Sequence, residues 1–151
     1  MIPATTTRVQ QHTDEDINDA IRRRTVANIR HYAREGRGQI DMRLMDLEYE
    51  WDMERVLEAN AAGVSLLGLA LGRFADRRWF ILPAFVAGFL LQHAVQGWCP
   101  PVGLFRRLGF RTAAEIETER YALKVIRRDF DGLSAEDRAE RIDRVLQAVA
   151  R

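Results

Sequence analysis

The sequence predicts an all-α protein organised around an antiparallel transmembrane helical hairpin, with amphipathic cytoplasmic helices flanking it on both sides. Three observations carry that prediction. From Trp79 to Phe105 the chain runs 27 residues without Asp, Glu, Lys or Arg, although 30% of its residues are charged. About 20 apolar residues suffice to cross a bilayer core as helix. A shorter apolar run, residues 59–72, lies just upstream, and elsewhere apolar residues recur at helical spacing with no strand-like alternation.

Charge and cysteine content narrow the function classes. Residues 1–58 carry nine basic and twelve acidic side chains, residues 59–105 three arginines and Asp76, and residues 106–151 eleven basic and nine acidic side chains. None of these blocks is basic enough to bind nucleic acid electrostatically. Cys99 is the single cysteine, so an intramolecular disulfide and a cysteine-based zinc site are both excluded. The N-terminus lacks a basic segment followed by an apolar one, so no cleavable signal peptide is expected.

Four regions follow along the chain. Residues 1–12 are polar and aperiodic and read as a flexible tail. Residues 13–58 form the N-terminal cytoplasmic helices. The first opens on Thr13 with Asp16 three residues on, the spacing of a capping box, and stops at Gly36-Arg37-Gly38. The second carries Ile40, Leu44, Leu47 and Trp51 on one stripe. Because no Gly or Pro occurs from Gln39 to Ala62, this helix is expected to continue unbroken into the first apolar run.

Residues 59–105 make the hairpin. Trp79 and Trp98 are 19 residues apart, about 28 Å of helix, which matches the hydrocarbon thickness and places one interfacial anchor at each end. The first span is shorter: Ala59 to Leu71 gives about 20 Å. The turn falls at residues 75–76. Small residues supply the expected packing faces, Ala61, Ser65, Gly68 and Gly72 on the first helix, and Ala84, Gly88 and Gln92 on the second. An antiparallel pairing places Ser65 near Gly88 and Asn60 near Gln92. Basic residues on the flanks favour cytoplasmic termini, against Arg73, Arg77 and Arg78 in the turn.

Residues 106–151 are the C-terminal cytoplasmic helices. Thr112-Ala113-Ala114-Glu115 is a capping box opening a helix that ends at Asp131-Gly132, and Ser134 with Asp137 opens a last one. The stripe containing Trp51 requires a packing partner, so these helices are expected to form a bundle or a dimer interface.

Two side chains in the hairpin invite chemistry. Cys99, followed by Pro100 and Pro101, is placed to cap a short helix, whose N-terminus lowers a thiol pKa. It is the candidate reactive thiol. His93 lies in the second span with no spaced second ligand, so no metal site or cofactor is expected.

The string Gly63, Gly68, Gly72, Trp79, Phe89-Leu90-Leu91-Gln92, Gly97-Trp98-Cys99-Pro100 and Leu108-Gly109 resembles the YgaP-like inner-membrane domain family over about residues 55–112. That resemblance implies a multi-pass two-helix protein of the bacterial inner membrane, homodimeric, sometimes fused to a rhodanese sulfurtransferase that this chain lacks. The expected function is a membrane anchor or oligomerising scaffold without enzymatic activity, with lipid and a second copy as partners. The alternative is a sulfur-handling accessory in which Cys99 accepts or relays sulfur for a partner sulfurtransferase.

Overall fold

A computed structural model describes Ala4, residues 6–131, Val145, Leu146 and Val149. Among these residues all regular structure is helical: α1 Arg8–Gln11, α2 Glu15–Glu35, α3 Arg37–Tyr49, α4 Met53–Phe74, a 3-10 turn Arg77–Phe80, α5 Ile81–Gln96, α6 Pro100–Arg107 and α7 Ala113–Arg127. The expected last helix from Ser134 lies outside the described residues. The chain divides into two compact units, one comprising the residues up to Arg24 with Glu50–Ile116, the other Thr25–Tyr49 with the residues from Glu117 on.

The first unit holds the hairpin. The expected continuous helix from residue 39 to 72 does not form, because Asp52 interrupts it. Asp52 is extended and its carboxylate accepts the Arg55 N–H at 2.8 Å, capping α4. The Met53 N–H donates to the Arg111 carbonyl at 2.8 Å. A helix start needs an orphan N–H satisfied, not a Gly or Pro beforehand.

The helices α4 and α5 run antiparallel through a turn at Ala75–Asp76, where the Asp76 carboxylate accepts the Arg78 N–H. Gly68 and Gly72 are the notches of α4. A Cβ at Gly72 would lie 2.7 Å from the Phe80 ring, and one at Gly68 would lie 2.7 Å from Cδ of Pro83. The face α5 offers is not the expected one. Leu82, Pro83, Val86, Leu90 and His93 are buried or half-buried, whereas Ala84 and Gly88 are exposed and a Cβ at Gly88 would meet nothing within 4 Å. Glycine notches are filled by bulky side chains, so small residues on both faces would have left a void. Ala61 is buried and Ser65 half-buried, while exposed Asn60 and half-buried Gln92 do not hydrogen-bond to each other.

One stretch among the described residues, Arg77–Gln96, is long and apolar enough to cross a membrane. The helix α4 does not reach that standard, since Glu54, Glu58 and Asn60 occupy its first two turns.

At the open end of the hairpin Val9, Met53, Leu57, Cys99 and Val102 form a core, flanked by Phe105 and Phe110 packed edge to face. Within the segment read as a flexible tail, α1 is therefore anchored by a buried side chain, Val9. Thr13 does not cap α2, which begins at Glu15 behind Asp14, and its hydroxyl donates to the Val9 carbonyl at 2.7 Å. A buried polar collar adjoins the core. Arg106 donates to both carboxylate oxygens of Glu115 at 2.6 and 2.8 Å and to Asn18 at 2.8 Å. Thr112 and Glu115 form the reciprocal capping box expected of them.

In the second unit Ile40, Leu44, Leu47 and Leu123 are buried. Beside them the fully buried carboxylate of Glu119 accepts from Arg43 at 2.8 Å and from Asn28 at 3.4 Å. Trp51 does not extend this stripe, since α3 ends at Tyr49. Its indole is exposed beneath the Arg55 guanidinium, 4.8 Å from the ring centre. The helix α7 ends at Arg127, ahead of Asp131-Gly132, because Arg128 takes a left-handed conformation at φ +69°.

Candidate functional site

Four side chains distant in sequence meet at the open end of the hairpin. Glu54 stands in the first turn of α4 and His93 in the last turn of α5, which antiparallel packing brings to the same level. His93 Nε2 lies 3.0 Å from Glu54 Oε2. Arg8 of α1 donates to Glu54 Oε1 at 2.9 Å and to the Ala94 carbonyl at 3.4 Å. The hydrogen bond with His93, opposed by burial and supported by Arg8, holds the Glu54 carboxyl down at about 2. Glu54 is thus a fixed anion that orients the imidazole.

Cys99 is the other polar neighbour of that ring. Its thiol is only 2% exposed, and it precedes α6 in extended conformation without using its side chain as a cap. His93 Nδ1 is buried and makes no hydrogen bond. The expectation that a helix N-terminus activates Cys99 needs revision. Pro100 and Pro101 have no N–H to offer, and the Val102 N–H donates to the Cys99 carbonyl at 3.0 Å. With those donors absent or engaged, His93 is the polar side chain left beside the thiol.

Gly97 holds the arrangement together. It ends α5 at φ +80° with its N–H on the His93 carbonyl at 2.7 Å. A Cβ there would lie 2.5 Å from Cβ of Arg8 and 2.8 Å from its carbonyl carbon. Only glycine satisfies both the backbone and the approach of α1.

Two concave surfaces flank the site. Between the hairpin helices runs an apolar cleft of about 240 Å³, lined by Leu57, Ala61 and Val64 of α4 and Val86 and Leu90 of α5, with Cys99 in its wall. On the outer face of α5 a shallower groove of about 390 Å³ follows Ala84, Gly88 and Gln92 between Phe85 and Phe89. Trp79 and Trp98 sit at opposite ends of the apolar stretch, both exposed. Of the sequence candidates, the structure thus places Gly68, Gly72 and Ala61 inside the hairpin, Ala84, Gly88 and Gln92 along its outer groove, and Cys99 beside His93.

Arg8 and Glu54 escaped sequence reasoning. The available signal was His93 itself, an ionisable group in an apolar run that requires a polar partner. Glu54 is the one of the acids near the start of α4 that faces it. Among the described residues no group of three His, Cys, Asp or Glu side chains is arranged to hold a metal ion. No protein-family model, curated protein or solved structure matches the chain.

Proposed function

We propose that the chain is a small integral protein of the bacterial inner membrane: α4 and α5 enter the bilayer together as a hairpin, the termini stay cytoplasmic, and the protein serves as a self-associating anchor rather than as an enzyme. The observation that carries this reading is outward-facing apolar surface. Hardly any of Arg77–Gln96 is buried within the chain, whereas the core helix of a water-soluble protein would be largely covered. Leu66 is 67% exposed, Phe74 85% and Leu91 67%. Contiguous apolar surface of this kind marks contact with lipid or protein.

The ends of the hairpin suit the two interfaces. At the tip Arg73 reaches over the Phe74 ring at 5.6 Å, and Asp76, Arg77 and Arg78 are exposed. At the open end lie Trp98 and the Arg8–Glu54–His93 cluster. The short apolar half of α4 is accommodated by snorkelling of Arg73 and local thinning of the bilayer. In lipid, small-residue faces drive helix association, so the Ala84–Gly88 groove is the surface for a second copy.

Extraction of isolated membranes with alkaline carbonate tests the reading. The full chain is expected in the pellet and to float with vesicles on reconstitution. Release as a monodisperse species soluble without detergent would overturn it.

A further inference from the structure

We propose that Cys99 is an acyl acceptor: its thiol takes a fatty acyl group from an acyl thioester, and the acyl chain lies in the cleft between α4 and α5. The inference stands on the cleft and on the Glu54–His93–Cys99 geometry, and does not depend on bilayer insertion. Three observations point to it. Cys99 is buried, so a reagent reaches the thiol through the cleft that it lines. That cleft is walled mainly by apolar side chains, with no charged residue in its lining, which suits a hydrocarbon chain. The buried, unbonded Nδ1 of His93 is the ring nitrogen left to serve the thiol, since Nε2 is engaged by Glu54.

The chemistry is thiol–thioester exchange. With its proton held on the His93 ring, the Cys99 sulfur adds to the thioester carbonyl. The new carbon–sulfur bond forms as the bond to the donor sulfur breaks, and the departing thiolate recovers the proton from His93. One thioester is consumed and one made, with no change of oxidation state. Asn60 lines the same cleft and is exposed, which places a side-chain amide donor within the cleft for the carbonyl oxygen. Glu54 is a positioning residue, holding the imidazole from its far side.

The test uses the full chain in lipid nanodiscs, with decanoyl-coenzyme A and acetyl-coenzyme A as donors and intact mass as readout. The expected result is addition of one decanoyl group, released by neutral hydroxylamine and absent in Cys99→Ala. Each buried methylene favours binding by about 0.8 kcal/mol, so decanoyl transfer should exceed acetyl transfer by at least about 10-fold. His93→Gln should slow labelling by about 10²-fold or more, and Glu54→Gln should change its pH dependence. Val64→Trp narrows the cleft and should abolish the preference for decanoyl. If His93→Gln does not fold, that variant decides the question. Absence of decanoyl labelling, equal rates for the two donors, a preference unchanged in Val64→Trp, or labelling by glutathione persulfide in place of decanoyl would each overturn the proposal.

Discussion

Gly97 and Glu54 show how single residues fix the open end of the hairpin. Replacing Gly97 by Ala imposes a left-handed conformation on a residue with a Cβ and drives that carbon into Arg8. The expected loss is at least about 1–3 kcal/mol, measured as a lowered unfolding midpoint in detergent, and the same change should loosen α1. Glu54 has a folded-state pKa of about 2 against 4.5. Its contribution to stability is therefore fully present above pH 4.5 and is lost as pH falls through about 2. The groups facing it are Arg8 of α1 and His93 of α5, and its partial exposure keeps the contribution modest. Acid titration of the folded protein should show this loss, and Glu54→Gln should flatten it. At this scale the sequence is poorly legible. Nothing local to Val9 or Arg8 announces that a polar N-terminal segment will be drawn into the core, because the contacts that hold it come from α4, α5 and α6. Arg106 is a second case. It is a buried cation whose partners Glu115 and Asn18 are supplied by different elements. Burial raises the Glu115 pKa, but Arg106 and the Thr112 N–H outweigh it and hold the carboxyl below its usual value. Arg106→Met strands that carboxylate, and unfolding measurements should register a loss of about 3–5 kcal/mol.

Among the elements, periodicity and capping chemistry located most helices, and they failed where a side chain overruled them. The stop at Gly36 and the Thr112–Glu115 box were readable because the signal and its consequence sit within four residues. The break before α4 was not, since Asp52 caps from inside a run without Gly or Pro. Asp52→Ala should cost about 0.5–2 kcal/mol, seen as lower helicity and a lower midpoint. The hairpin faces were half legible. The glycines of α4 were read as a packing stripe, but which face of α5 answers them depends on Leu82 and Pro83 filling the notches, a matter of shape rather than spacing. Two substitutions separate the faces. Gly72→Leu should force α4 away from Phe80 and disrupt the hairpin. Gly88→Leu should leave the hairpin intact and weaken self-association, read by crosslinking or by energy transfer between labelled copies in vesicles. Dissociation by neither change would remove the outer groove as a dimer surface.

For the molecule as a whole, the all-α class was legible from the absence of alternation and the spacing of apolar residues. The candidate site is half legible: Cys99 and His93 each stand out in the sequence, and only the antiparallel return of α5 brings His93 to Glu54. Crossing of the bilayer by both helices with cytoplasmic ends is what we propose. The most direct measurement is two-sided thiol labelling in intact cells, with Cys99 replaced by Ala and a single cysteine placed at Arg77 or at Glu48, both exposed in the structure. A membrane-impermeant maleimide should label Arg77→Cys from outside and Glu48→Cys only after permeabilisation. Labelling of both positions from the same side would contradict the proposal.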